Sequence, residues 1–350
     1  FHPFTLPGEL VASGAPPRIL RPSPDRVIPP CPYFGTCGGC SVQHASDAFV
    51  TAWKEDLLRR ALSAHGLDAT FRPTQTSPPH SRRRAVLTVR RTKKTVQTGF
   101  HRRGSDQIVD ITTCMVLTPG FLDLRPHLET LARLGASRKG ALKISVTASR
   151  AGWELHVTGG KPLDGPLRAR LAQAAAGFAR LAWEDEGVAQ HDPPLQRIGQ
   201  AEVLPPPGAF LQATEQGAAA LTSAVREAVG QAPRIADLFC GMGTFALPLA
   251  EAAAVHAVEA DAAMIDALDQ AWRGTEGLRQ STTETRDLFR RPLVPVELNR
   301  FDAIVLDPPR AGAAAQVEML SASAVPVVAM GSCNPVTFAQ DAAVLVAAGY

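Results

Sequence analysis

The sequence predicts a doubly wound, Rossmann-like α/β domain over residues 207–350, preceded by an α+β region. Two observations carry this reading. After Pro207, short apolar segments at 235–240, 255–259, 301–306 and 325–330 alternate strictly with helical patterns, the signature of a parallel sheet covered by helices. Before Pro207, strand-like alternation comes in successive runs, as in an antiparallel sheet. A chain of 350 residues is long enough to bury two cores.

Composition sets the outer limits. Apolar residues make up 45% and charged residues 20%, with a net charge of +3, an ordinary soluble balance. No apolar run reaches spanning length, and Phe1-His2-Pro3-Phe4 is no signal peptide. Six cysteines do not make a disulfide scaffold in a chain of this length. Three of them cluster tightly, which in an intracellular protein points to metal. A cytoplasmic protein without membrane contact is expected.

Residues 1–30 are rich in proline and weakly periodic. Phe4-Thr5-Leu6-Pro7-Gly8-Glu9 reads as a turn between strands, and 22–30 as a linker. Next comes Cys31-Pro32-Tyr33-Phe34-Gly35-Thr36-Cys37-Gly38-Gly39-Cys40. Three thiolates on a loop with three glycines can wrap a compact cluster, because glycine lets the backbone turn tightly. A cluster wants a fourth ligand, and Cys114 is the other cysteine in this half. The spacing lacks the paired Cys-x2-Cys knuckles of a zinc ribbon, which favours iron–sulfur over zinc.

Phe49, Trp53, Leu57, Leu58 and Leu62 recur at helical spacing, predicting an amphipathic helix over 47–64 with its stripe in the core. From Arg82 to Arg103 the chain carries nine Lys/Arg and no acidic residue. Segments 85–89 and 96–100 read as two strands around a Lys93-Lys94 turn. Such a run is often only a solvated face. A basic hairpin without compensating acids beside a cysteine cluster fits phosphate binding better. Alternation at 141–148 and 153–157 adds strands, and the alanine-rich stretch 167–180 predicts a helix. Pro193-Pro194 and Pro205-Pro206-Pro207 punctuate the end of this region. Beyond it, 214–229 is helical, and a weaker, polar strand falls near 282–286.

Ligands of a doubly wound sheet bind at the carboxyl ends of its strands. The first strand ends in Asp237-Leu238-Phe239-Cys240-Gly241-Met242-Gly243-Thr244. Gly241 and Gly243 let the chain pass close under a ligand, and Glu259 ends the second strand, placed to accept from ribose hydroxyls. Gly241-x-Gly243-x-x-Ala246 also satisfies the dinucleotide fingerprint, so this motif alone leaves a nicotinamide enzyme open. S-Adenosylmethionine carries the same ribose without a pyrophosphate.

The fourth strand runs into Asp307-Pro308-Pro309-Arg310 at the edge where a methyltransferase of this architecture brings substrate to cofactor. Enzymes that methylate exocyclic amines place an aromatic residue after the two prolines. Here Arg310 stands instead. The next strand ends at Cys333, followed by Asn334 as N-cap and Pro335 at the first helical position. Alone, this cysteine would pass for a small buried hydrophobe. Beside an Asp-Pro-Pro turn, at the positive end of a helix, it suits a nucleophile for methylation at a ring carbon. A thiolate adding to C6 of uracil moves electron density onto C5, which can then take a methyl group. A base must afterwards remove the C5 proton.

The cysteine loop with Cys114, Asp-Leu-Phe-Cys-Gly-Met-Gly-Thr, Asp-Pro-Pro-Arg-Ala-Gly and Ser-Cys-Asn-Pro stand in the order seen in RNA uracil-C5 methyltransferases. The sequence resembles their iron–sulfur branch, similar to the bacterial 23S ribosomal RNA 5-methyluridine enzymes. The likeness runs from about residue 4 to the end, with 115–205 matching only in general character. It implies a class I S-adenosylmethionine-dependent methyltransferase domain at 207–350 and a central iron–sulfur and RNA-binding domain at 31–206. Residues 1–30 would be the remnant of an N-terminal β-barrel RNA-binding domain plus a linker.

Carried over residue by residue, the resemblance makes Cys31, Cys37, Cys40 and Cys114 the [4Fe–4S] ligands. Gln212, Phe239, Thr244, Glu259 and Asp287 fall on cofactor positions, beside Gly241. Asp307 serves cofactor and base, and Cys333 is the catalytic nucleophile. Cys240 receives no catalytic role. Residue 244 is often asparagine in relatives, and threonine keeps it polar. Relatives continue past residue 350 to a glutamate general base, so a segment cut at both ends is expected and no base is assigned. The implied partner is RNA, in particular 23S rRNA, and nothing demands more than a monomer. Three rivals rank lower. A cytosine-C5 enzyme needs a cysteine in the fourth-strand motif, where this chain has none. An idle RNA-binding protein would keep only fold and cluster. A nicotinamide oxidoreductase leaves Cys333 and the cysteine loop without a task.

Overall fold

The computed structural model describes residues 3–14, 17–138 and 140–350. The chain forms two compact units. One takes Phe1–Glu55, Ser77–Ala148 and Gly152–Asp192, the other Asp56–Thr76, Ser149–Ala151 and Pro193–Tyr350.

The first unit opens with a short antiparallel ribbon, β1 (Leu10–Ala12) and β2 (Arg18–Arg21). The proline-rich start is pinned down. The Glu9 carboxylate accepts from Leu6 N (2.8 Å) and Ser23 N (3.2 Å), and Arg26 beside it holds its carboxyl down to about 2. Arg26 also donates to the Phe4 carbonyl at 2.8 Å. The rings of Phe4, Phe34 and His44 gather at centroid distances of 5.3–6.3 Å, fastening this segment to the cysteine loop.

Helix α1 (Asp47–Ser63) forms where its spacing predicts. Its stripe, however, is not core: Leu62 is its one buried residue, while Trp53 and Leu57 are exposed. Phe49 and Leu58 on the same stripe are half-buried.

A seven-stranded mixed sheet follows, in the order β5-β4-β3-β6-β7-β8-β9. Its strands are β3 (Arg84–Arg91), β4 (Val96–His101), β5 (Ile108–Asp110), β6 (Leu142–Ser149), β7 (Gly152–Thr158), β8 (Arg180–Trp183) and β9 (Glu186–Gln190). β3 and β4 are the predicted basic hairpin, antiparallel with Arg91 opposite Val96. β7 and β8 run parallel, which requires a crossover, and α3 (Gly165–Ala174) supplies it. That helix stops short of residue 180: Phe178 is buried edge to face with His127, and the chain then enters β8. Helix α2 (Arg125–Gly135) also packs here, and the core centres on Trp183. A Cβ on Gly135 or Gly160 would lie 2.3 or 2.2 Å from the indole ring, so two glycines shape its slot. Its N–H donates to the Lys161 carbonyl at 2.9 Å.

The second unit begins with the hairpin β10 (Gln196–Ile198) and β11 (Ala201–Val203). Helix α4 (Glu215–Val229) follows, capped by Thr214, whose hydroxyl accepts from Gly217 N at 3.0 Å. A five-stranded parallel sheet comes next, built from β12 (Arg234–Leu238), β13 (Ala254–Glu259), β14 (Thr282–Thr285), β15 (Ala303–Leu306) and β16 (Val328–Met330). Helices α5 (Ala246–Leu249), α6 (Ala262–Arg273), α7 (Pro295–Leu298), α8 (Ala314–Ser321) and α9 (Pro335–Ala347) complete the unit.

The strand order is β14-β13-β12-β15-β16. It reverses between β12 and β15, which opens a crevice at their carboxyl ends, the switch point where such sheets bind ligands. Side chains of β12 alternate between two cores: Ile235 joins Val255 and Leu268, while Leu238 joins Ile304, Leu320 and Leu345. Among the described residues no helix is long and apolar enough to cross a membrane.

Candidate active site

β12 ends because Phe239 takes a left-handed conformation (φ 62°), and the chain then turns through Gly241 (φ 55°) and Gly243 (φ 93°). The two glycines serve different needs. A Cβ on Gly243 would sit 2.5 Å from Leu268 Cδ1 and 3.0 Å from Leu247 Cγ, so the loop packs tightly against the following helices. Gly241 has space around it, and its backbone angle is what calls for glycine.

Glu259, at the end of β13, clasps this loop. Its carboxylate accepts from Gly241 N (3.1 Å), Ala260 N (2.7 Å) and Asp261 N (3.1 Å). A carboxylate offers about four lone-pair directions, so one remains for a hydroxyl donor. Beyond β14, Asp287 accepts from Phe289 N at 3.0 Å, and the half-exposed Phe289 ring lies 5.3 Å from that of Phe239. Thr244 and Gln212 are half-buried.

Asp237 is a site residue that sequence reasoning misses. It is fully buried, and neither carboxylate oxygen has a hydrogen-bond partner among the described residues. Burial first, then the charges of Asp307 and Glu259, push its carboxyl well above the usual range. An acidic residue opening a glycine turn is a sequence signal, but its burial is not.

At the adjacent strand ends, Leu306 of β15 pairs with Met330 of β16, and Gly331 N donates to the Leu306 carbonyl at 2.8 Å. A Cβ on Gly331 would lie 2.7 Å from Asp307 Oδ1, so the Asp307 carboxylate rests directly on that glycine. Burial raises its carboxyl. Cys333 is exposed, two residues beyond. The turn holding it is tied locally: Asn334 N donates to Ser332 Oγ (3.1 Å), and Asn334 Oδ1 accepts from Val336 N (3.1 Å), capping α9. Asn334 Nδ2 reaches across to the Arg310 carbonyl at 3.1 Å. The cysteine turn and the Asp-Pro-Pro turn are therefore hydrogen-bonded to each other.

In the first unit, Cys31, Cys37, Cys40 and Cys114 line one cavity of about 250 Å3 with Phe34, Phe100 and other largely apolar neighbours. Tyr33 organises its rim: its carbonyl accepts from Cys37 N (2.9 Å), and its hydroxyl accepts from Thr112 N (3.1 Å). Gly38 lies so close to β4 that a Cβ would stand 2.7 Å from the His101 carbonyl oxygen. The Cys37 and Cys114 sulfurs accept from Gly39 N (3.4 Å) and Val116 N (3.5 Å). Among the described residues, no three His, Cys, Asp or Glu side chains converge on a point fit for a single metal ion.

The structure also sorts the nine cations of the hairpin region. Arg83 is buried, and burial lowers the Arg84 guanidinium, which lies near Glu154, the partner of Arg180. Arg91 donates to the Arg133 carbonyl at 3.1 Å. Lys93, Lys94, Arg102 and Arg103 are exposed.

A five-stranded parallel sheet with a glycine turn, an acid on the second strand and a cleft at its switch point is the ligand-binding edge of a doubly wound α/β unit, suited to an adenosine-bearing cofactor. Known proteins narrow the class. The family model of tRNA (uracil-5-)-methyltransferases matches residues 207–348. An uncharacterized RNA methyltransferase of Brucella suis is 43% identical across the whole chain, covering 86% of the relative. The 23S rRNA (uracil(1939)-C(5))-methyltransferase RlmD of Pectobacterium atrosepticum is 33% identical, over 95% of this chain and 77% of its own length. The crystal structure of Pyrococcus abyssi tRNA (uracil-54, C5)-methyltransferase with S-adenosyl-L-homocysteine shares the fold. Its TM-score is 0.71 at 21% identity, over 97% of this chain and 87% of that one. The chain belongs to the RNA uracil-C5 methyltransferase family, enzymes that use S-adenosylmethionine.

Proposed function

We propose that the protein methylates C5 of a uridine in 23S rRNA through a covalent adduct between Cys333 and C6 of the base. The observation that carries this is an exposed thiol on a turn bonded to the Asp307-Pro308-Pro309-Arg310 turn at the sheet's switch point. Cys333 Sγ forms the bond to C6, and the displaced electron pair passes across C5 to the carbonyl oxygen as an enolate. C5 then attacks an electrophilic methyl group. Loss of the C5 proton re-forms the ring double bond and expels the thiolate, which regenerates Cys333. Asp307, resting on Gly331, serves the base and the cofactor from between the two turns.

The cofactor supplies the methyl group as a sulfonium. Gln212, Phe239, Gly241, Thr244, Glu259, Asp287 and Asp307 would hold it, and the free lone pair of Glu259 suits a ribose hydroxyl. Cys31, Cys37, Cys40 and Cys114 fit a [4Fe–4S] cluster: all four line one cavity, and N–H groups point at two of the sulfurs. The Cys31, Cys37 and Cys40 spacing lacks the paired Cys-x2-Cys knuckles of a zinc ribbon, which favours a cluster over one zinc ion. The cluster's role would be structural, since methyl transfer moves no electron through it. The likeness to RlmD supports ribosomal RNA as substrate, and an enzyme acting on that RNA would work in the cytoplasm.

Tritium release from RNA labelled at C5 of uracil tests the reading with the full-length protein. Release from 23S rRNA transcripts and none from tRNA is expected. Release from tRNA alone would overturn the substrate.

A further inference from the structure

We propose that Asp341 is a positioning residue for methyl transfer, holding the 307–313 loop against the helix that carries Cys333 at its start. The proposal rests on reading Cys333 as the nucleophile. Asn334, Thr337 and Asp341 are spaced by three and four residues, which puts them on one face of α9. All three meet the same loop. Asn334 Nδ2 donates to the Arg310 carbonyl at 3.1 Å, and Thr337 Oγ1 lies 3.4 Å from the same oxygen, its one proton shared with the Asn334 carbonyl at 3.3 Å. Asp341 Oδ2 accepts from Ala313 N at 2.9 Å. Between these points lies Gly312 (φ 82°), where a Cβ would sit 2.9 Å from Asp341 Oδ2 and 3.1 Å from Thr337 Cβ.

Asp341 is 5% exposed, and burial raises its carboxyl. A buried carboxylate is an expensive way to fill space. Here it meets a specific need. Helix α8 begins after Ala313, which offers no capping side chain, and Asp341 satisfies the N–H at that start from another helix. The loop bearing Asp307 is thereby fixed at both ends, to β15 by the chain and to α9 by Asp341. Because Cys333 immediately precedes α9, one helix sets the position of the nucleophile and of the Asp307 loop together.

The test compares Asp341→Ala, Asp341→Asn and Thr337→Val in the full-length protein. The readouts are kcat, KM for RNA and for S-adenosylmethionine, thermal midpoint, and the rate of covalent adduct formation with 5-fluorouridine RNA. Asp341→Ala should lower kcat and the adduct rate by about tenfold to 100-fold, the cost of misplacing reacting groups, while KM for S-adenosylmethionine stays near wild type. Asp341→Asn keeps an oxygen acceptor for Ala313 N and should recover most of the lost rate. Thr337→Val, at a less buried point of the helix, should slow the adduct step by about twofold to fivefold. A lower thermal midpoint with wild-type kcat in Asp341→Ala would reduce Asp341 to a helix cap and overturn the proposal. So would Asp341→Asn as slow as Asp341→Ala. If Asp341→Ala does not fold, an unchanged adduct rate in Thr337→Val overturns it. An adduct surviving in Cys333→Ala would instead sink the underlying reading of the nucleophile.

Discussion

Cys240 and Cys333 each follow a strand of the same parallel sheet, β12 and β16, at the same carboxyl edge. Their surroundings are opposite. Cys240 is 3% exposed, its N–H donates to the Val258 carbonyl at 3.1 Å, and burial pushes its thiol far up. Cys333 is exposed. The difference lies in what comes next. After Cys240, the chain turns through Gly241 and Gly243 and packs on Leu247 and Leu268, whose apolar core also takes in Cys240. After Cys333, Asn334-Pro335 starts a helix at once, so the thiol stays at the surface of a rigid turn. Position in a topology brings a cysteine to the sheet's edge, and the residues that follow decide whether solvent reaches it.

Substitution at Cys333 should break this contrast most severely. Cys333→Ala should lower methyl transfer by more than about 10³-fold, with S-adenosyl-L-homocysteine affinity by calorimetry unchanged. Gly331→Ala comes next. Its methyl group would press on Asp307 Oδ1, and displacing that carboxylate should cost about tenfold to 100-fold in kcat.

Removing Lys93, Lys94 and Arg102 from the hairpin should weaken RNA binding without changing which uridine is methylated, since cations that pair with phosphate position an RNA rather than read it. The slope of log Kd against log salt should fall by up to about 0.7 for each phosphate-pairing cation removed, the single-strand value. Binding assays across a salt series measure this, and an unchanged slope would make the run a solvated face. Cys240→Ala should be the mildest, with kcat within about threefold of wild type and a stability loss of about 1–2 kcal/mol by thermal unfolding.

β12, β13, β15 and β16 are legible in the sequence because each is an apolar run bounded by turn residues, and the polar β14 also falls on its predicted segment. Strand β8 is not legible, since all four of its residues are buried and no alternation shows. The basic run reads as one class of residue. The structure separates it because Glu154, which lies near Arg84, is far off in sequence. At the site, Glu259, Asp307 and Cys333 stand at strand ends, where a motif can announce them. Asp237 and Asp341 escape because their significance lies in burial and in partners on other elements. The three-and-four spacing of Asn334, Thr337 and Asp341 is visible in the sequence, but its meaning depends on the loop it faces.

The most direct measurement is covalent trapping on RNA carrying 5-fluorouridine at the target, read as a mass shift on denaturing gels and mapped by peptide mass spectrometry. Fluorine at C5 cannot leave as a proton does, so the adduct should accumulate with one RNA joined to Cys333 in the wild type and in Cys240→Ala. None should form in Cys333→Ala. An adduct that persists in Cys333→Ala, or that maps to Cys240, would contradict the account.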